Sequence, residues 1–292
     1  MKVRRYADAA EILPDVQAYL EREEVVANLP LGILTRLAQK PEIADETRRP
    51  FYTLVTHEGE PVLLMVRTPP YNMILHANAP DVAQRARIEA AYQAGVKFLL
   101  RESLPVPGLI GPRDVVTGFA DAWVKEAGGE WQIQMEQMIY RLDQVEDVPL
   151  SPGELIQAGK EHLDMLTDWL LGFSEVTPQN WDREGAQMRA QEHIDARGLY
   201  LWHDGQPVSM AWRSRPTGRG ITVTGVYTPP ALRRRGYATS CVASLSRLLL
   251  AEGYQFCTLY TDLANPTSNS IYQKIGYRPV RASAMIEFTN GS

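Results

Sequence analysis

The sequence predicts an α/β protein in which a mixed sheet is flanked by helices, and predicts that this arrangement occurs twice in tandem. Three observations carry the prediction. The chain has 292 residues, and a prior of roughly 150 residues per domain favours two. Short segments rich in apolar and β-branched residues are separated by segments whose apolar residues recur at helical spacing. Finally, the two halves present these segments in a similar order, as duplication of one fold would give.

In the amino-terminal half, Tyr52 to Val55 and Val62 to Val66 flank the turn His57-Glu58-Gly59-Glu60 and read as a hairpin. Met73 to His76 reads as a strand, and Asp81 caps a helix reaching about Leu100. Leu109 to Gly111 is strand-like, Arg113 to Ala127 helical, and Met138 to Leu142 a returning strand. The stretch from Gln144 to Gly153 holds two prolines and several polar groups. It reads as an interdomain linker, giving domains 1–147 and 148–292.

In the second half, Glu161 to Gly172 reads as a helix, and Asp182 starts another that ends near Gly198. Leu199 to Trp202 and Val208 to Trp212 flank a turn at His203 to Pro207, and Ile221 to Thr228 is a strand rich in β-branched residues. Ala238, Cys241, Val242, Leu245, Leu248 and Leu249 recur at helical spacing, and Gly253 ends that helix. A short strand from Phe256 to Tyr260, a helix from Thr267 to Lys274 and a strand from Met285 to Phe288 complete the chain.

Composition narrows the function. Hydrophobic content of 45% with 22% charged residues is that of a soluble globular protein. A net charge of −5 argues against a nucleic-acid binder. The two cysteines, Cys241 and Cys257, fit a reducing compartment. With no signal-like start and no apolar run near the ~20 residues needed to cross a bilayer, the expected location is cytoplasmic, with no membrane partner. The histidines show no metal-ligand spacing with a carboxylate or cysteine partner, so no metal is expected.

The stretch that carries chemistry begins at Thr224-Gly225-Val226-Tyr227-Thr228-Pro229-Pro230. A strand stops at two prolines, which cannot continue a hydrogen-bonded ladder. Arg233, Arg234, Arg235, Gly236, Tyr237, Ala238 and Thr239 follow, and a helix opens at once. A helix start offers unpaired N–H groups and the positive end of its dipole to a pyrophosphate. Gly236 lets the backbone approach closely, and the arginines and the hydroxyls of Thr239 and Ser240 add charge and polarity. Taken alone, the same loop also reads as a strand-to-helix connection with a solvated basic run.

A second cluster runs from Asn265 to Tyr277 and includes Ser268 and Tyr272. With it, the sequence resembles the GNAT superfamily of N-acetyltransferases. The family's CoA loop, Gln/Arg-x-x-Gly-x-Gly/Ala, is matched by Arg233, Gly236 and Ala238. Its second motif, an asparagine with a tyrosine seven residues on and then a Gly-aromatic pair, is matched by Asn265, Tyr272, Gly276 and Tyr277.

The resemblance implies the GNAT fold and a single acetyl-CoA site in the second half, with the first half a degenerate copy. Its counterpart loop, Ala77 to Val82, lacks the arginines and the glycine. It further implies that Val226, Tyr227 and Thr228 hold the pantetheine arm and that amides from Arg234 to Thr239 hold the pyrophosphate. Asn265 and Ser268 would contact the cofactor. Tyr272 would protonate the departing thiolate as an amine (a small molecule, an amino acid or a protein amino group) is acetylated by direct attack in a ternary complex. Some family members place a glutamate five residues before the motif asparagine, where this chain has Tyr260. Glu175 is the candidate general base instead, with a water chain as the other route. A non-catalytic acyl-CoA sensor on the same fold is the competing expectation. The acceptor and the oligomeric state stay open.

Overall fold

The computed structural model describes residues 1–39, 49–79, 84–175, 177 and 181–289. Contacts divide the chain into two units. The first is Met1–Ile139 with Tyr260–Asn265 and Pro279–Ser292, and the second is Tyr140–Leu259 with Pro266–Arg278.

In the first unit, β1 (Lys2–Tyr6), α1 (Ala9–Glu21) and α2 (Asn28–Gln39) precede the elements expected from the sequence. Asp8 caps α1, its carboxylate accepting the Glu11 N–H at 2.9 Å. The expected hairpin is β2 (Phe51–His57) and β3 (Glu60–Arg67). Its turn residues Glu58 and Gly59 both have positive φ, 53° and 87°, as a type I′ connection requires. Next come β4 (Met73–His76), α3 (Arg85–Arg101), β5 (Gly108–Pro112), α4 (Arg113–Ala127) and β6 (Glu130–Leu142). The expected cap Asp81 lies outside the described residues, and Gln84 precedes α3 without a side-chain cap. Strand β6 starts at Glu130 rather than Met138. Its first residues alternate exposed with half-buried, and Trp131 and Ile133 reach the core from a stretch too polar to read as a strand.

Period-two alternation places β2 and β3 between two helical layers. Val55, Leu63 and Met65 meet α3 and α4 through Val96 and Phe119, whereas Leu54, Leu64 and Val66 meet α1 and α2 through Ile12, Val16 and Leu34. The strand order is β1-β2-β3-β4-β5-β12, where β12 (Arg278–Thr289) is the chain's last strand. Thus β12 begins well before the expected Met285, and it pairs antiparallel with β5 from Ser283↔Pro112 to Glu287↔Gly108.

The second unit contains β7 (Glu154–Gln157), α5 (Leu163–Ser174), α6 (Arg183–Asp195), β8 (Leu199–His203), β9 (Pro207–Ser214), β10 (Gly220–Tyr227), α7 (Tyr237–Ala251), β11 (Phe256–Asp262) and α8 (Pro266–Ile275). Its strand order is β11-β10-β9-β8-β7. Leu199, Leu201 and Met210 pack on Leu166 and Leu170 of α5 and Ala190 of α6. Helix α7 packs against β8, β9 and β10, with Cys241, Leu245 and Leu249 fully buried.

The stretch expected to be a linker is pinned to this unit. The Glu146 N–H donates to Ile275 O at 2.9 Å, and Arg278 pairs with the Glu146 carboxylate at 3.2 Å. Trp202 Nε1 donates to Pro152 O at 3.0 Å. Prolines remove backbone donors but leave every carbonyl available, so this segment is held by bonds that composition does not reveal.

Candidate active site

Strand β10 has two edges, and both are modified near its end. Against β11 it pairs in parallel only at Gly220↔Phe256, Ile221↔Cys257 and Thr222↔Thr258, although it runs on to Tyr227. The last pair is marked by a buried bond between the Thr222 and Thr258 hydroxyls, 2.9 Å long. Beyond it, among the described residues, β10 does not pair with β11, so its edge on that side between Val223 and Val226 has no β11 partner. Against β9, the register shifts between Thr224 and Tyr227. Gly225 sits in this bulge with φ 61°, and a Cβ there would overlap the Trp212 ring. A lone glycine inside a β-branched strand is the sequence signal of such a bulge.

At the end of β10 the backbone is held firmly. Ser209 Oγ donates to Tyr227 O at 3.1 Å and lies 2.9 Å from the Thr228 hydroxyl. Arg233 Nε donates to Thr228 O at 3.0 Å, with its guanidinium 5.9 Å from the Tyr227 ring centre. Arg233 therefore closes the strand's exit. Arg233 to Gly236 are all exposed. Arg234 and Gly236 have left-handed backbone, φ 65° and 83°, and Gly236 is the N-cap of α7 without a side-chain cap bond. The first-turn N–H groups of α7 consequently lack intrahelical acceptors, while Ala238 and Thr239 are half-buried beside them. Tyr237 turns away, donating its hydroxyl to Asp204 Oδ2 at 2.7 Å. This bond pushes the Tyr237 phenol pKa upward. Ser240 is fully buried, and its hydroxyl accepts the Ser151 N–H at 2.7 Å. The sequence expectation that it faces a phosphate is therefore corrected.

Tyr272 lies on α8 and is 8% exposed. Burial pushes its phenol up to about 12, and the Ser268 hydroxyl hydrogen-bonds to it. Ser268 is thus a partner of the tyrosine. The Tyr277 ring packs edge-on against Tyr272 with centres 6.1 Å apart, and its hydroxyl lies 2.9 Å from Ser246 Oγ. Asn265 is exposed immediately before α8, belongs to the stretch grouped with the first unit, and donates its N–H to Asp262 O at 3.1 Å.

Glu175 follows α5, exposed, with its N–H on Leu171 O at 3.2 Å. Helix α5 approaches β10 closely, since a Cβ at Gly172 would collide with the Tyr227 hydroxyl. Tyr200, Trp202, Trp212 and Tyr227 are all buried in the core. Burial raises both Cys241 and Cys257 to about 12, which leaves neither thiol suited to nucleophilic attack.

Residues 198–286 match the family model described as FR47-like protein. No curated relative matches the chain. Among solved structures, a GCN5-related N-acetyltransferase from Sphaerobacter thermophilus aligns over 99% of this chain and 96% of its own, with TM-score 0.63 and 11% identity. A GNAT-family acetyltransferase from Colwellia psychrerythraea covers 100% of both chains at TM-score 0.58 and 11% identity. The tandem GNAT protein from the clavulanic acid biosynthesis pathway also covers 100% of both, at 0.58 and 14%. The fold is the GNAT fold.

In the first unit, the described residues of the stretch 77–82 are engaged by protein groups. The Ala79 N–H donates to Glu23 Oε1 at 2.9 Å. Arg281 donates to Glu23 Oε2 at 3.0 Å, to Ala77 O at 3.2 Å and to Asp114 Oδ2 at 2.9 Å. Glu23 therefore occupies the Ala79 amide, and Arg281 is paired with two carboxylates. Among the described residues, no group of three or more His, Cys, Asp or Glu side chains forms a metal site. No described helix is long and apolar enough to cross a membrane.

Proposed function

We propose that the second unit is an acetyl-CoA-dependent N-acetyltransferase with an amine acceptor. The observation that carries this reading is the end of β10. The strand leaves β11 after Thr222, bulges at Gly225, and delivers its exit to a glycine-capped helix start flanked by exposed arginines. An extended pantetheine arm needs unpaired strand groups, and a pyrophosphate needs free amides with positive charge. The two requirements are met in succession along one stretch of chain. Val226, Tyr227 and Thr228 would hold the arm. Arg233, Arg234 and Arg235, with the amides from Gly236 to Thr239, would hold the pyrophosphate. Ser268 completes the proposed contacts within this unit.

Acetyl-CoA supplies an acyl thioester and, once the acyl group leaves, a thiolate. A backbone N–H of the β10 bulge is suited to steady negative charge on the carbonyl oxygen. Tyr272, like any phenol, carries its proton at neutral pH, and burial pushes its pKa further, up to about 12, so it is available as the acid for the sulfur. Proton removal from the amine falls to Glu175 or to water.

Calorimetry with acetyl-CoA tests the binding half of the reading. Free-thiol release across a panel of amines tests the chemistry, and acetyl-CoA binding without thiol release from any amine would leave a sensor in place of an enzyme. Tyr272→Phe is expected to lower kcat by about 100-fold or more, the usual range for loss of a positioned acid, with acetyl-CoA affinity held within about twofold. Equal loss of turnover and affinity would assign Tyr272 a packing role.

A further inference from the structure

We propose that Ser151, in the segment preceding β7, is a positioning residue that sets the direction of a phosphate-binding amide in the CoA loop. The proposal rests on the acetyl-CoA reading above. Ser151 is more than eighty residues from the loop in sequence but adjoins it in the fold. Its hydroxyl donates to Arg235 O at 2.7 Å, while its own N–H donates to Ser240 Oγ at 2.7 Å inside the first turn of α7. The two bonds grip the loop on both sides of Gly236.

The consequence follows from the peptide plane. In a trans peptide the C=O and the following N–H point in opposite directions. The only cis bond among the described residues is Pro69-Pro70, so the Arg235–Gly236 peptide is trans. Drawing the Arg235 carbonyl toward Ser151 therefore turns the Gly236 N–H away from Ser151. The conformation is unfavourable by itself, because Arg234, a residue with a side chain, has φ 65°. A tie at the next carbonyl opposes relaxation of this turn. The space is also matched, since a Cβ on Gly236 would come within 2.6 Å of Ser151 Oγ. Glycine at this position thus serves the strut as well as the phosphate.

A residue that acts on the pyrophosphate loop affects only donors that carry a pyrophosphate. The test compares wild type, Ser151→Ala and Ser151→Thr, using calorimetry with CoA and steady-state kinetics with acetyl-CoA and with S-acetyl-pantetheine, which ends before the pyrophosphate. In Ser151→Ala, CoA affinity is expected to fall about three- to tenfold, the loss that one hydrogen bond carries. KM for acetyl-CoA should rise in parallel with kcat unchanged, and Ser151→Thr should restore both. Kinetics with S-acetyl-pantetheine should match wild type.

Unchanged CoA affinity in Ser151→Ala would overturn the proposal, as would equal losses with both donors, which would mark a general structural role. If Ser151→Ala does not fold, Ser151→Cys, a near-isosteric change to a weaker donor, carries the same comparison. Wild type that binds no CoA would overturn the functional reading first and this proposal with it; wild type that binds while Ser151→Ala binds equally well overturns this proposal alone.

Discussion

Replacing Gly225 by alanine adds one methyl group at the point where β10 bulges, and the structure sets its cost. The new Cβ would overlap Cζ3, Cε3 and Cη2 of Trp212. The indole cannot simply retreat. It is 6% exposed, with Phe173 edge-on at 5.6 Å and His193 at 4.7 Å between ring centres. Forcing extra volume into such a site costs about 1–3 kcal/mol. A side chain in the left-handed region at φ 61° adds roughly 1–2 kcal/mol. The expected destabilisation is therefore about 2–5 kcal/mol, taken as the sum of those two ranges. Urea unfolding followed by tryptophan fluorescence measures it. Combining Gly225→Ala with Trp212→Leu separates the terms, because trimming the indole relieves overlap but leaves backbone strain. The pair should show a favourable coupling of about 1–3 kcal/mol, the overpacking share. A loss below about 1 kcal/mol in Gly225→Ala, or no coupling in the double variant, would refute the claim that Trp212 dictates glycine at the bulge.

Further outcomes are expected elsewhere. Gly236→Glu should abolish acetyl-CoA binding in calorimetry, since it places a carboxylate at the proposed phosphate site and a side chain at a left-handed N-cap; retained affinity would displace the pyrophosphate from this loop. Stability should fall as pH drops below 6.5. Burial lowers His76 and His193 to about 4, so between pH 6.5 and about 4 the unfolded chain binds protons that the folded chain does not. Unfolding free energies at pH 7 and pH 5 should therefore differ less in His76→Leu and His193→Leu, and an undiminished difference in both would exclude these residues as its source. Tyr272, raised to about 12 by burial, has the opposite sign: its contribution is fully present below pH 10 and declines as pH rises toward 12. A kcat profile with an acid-group limb near pH 7 would show that Tyr272 is not the proton donor.

Local pattern determined much of this protein. Alternation in Phe51–His57 and Glu60–Arg67, helical spacing from Ala238 to Leu249, and glycine or proline at the breaks specify most elements, because each signal arises within a few residues. The proposed CoA loop could be named from sequence for the same reason: Arg233, Gly236 and Ala238 are close in sequence, as are Asn265 and Tyr272. The early part of β6 was not legible, since Trp131 and Ile133 find their apolar partners only across the first unit's core.

Other features were decided by tertiary structure alone. Strand β12 pairs with β5 in the first unit, and strand pairing depends on edges that distant segments present. Arg281, Glu23 and Asp114 converge from β12, from the segment after α1 and from α4. Ser151 came from a stretch that composition marks as a linker, yet its two bonds hold Arg235 and Ser240. A short motif supplies the groups of the loop; directing a particular amide takes a contact from elsewhere in the chain, because a peptide plane is oriented by the bonds at both of its ends.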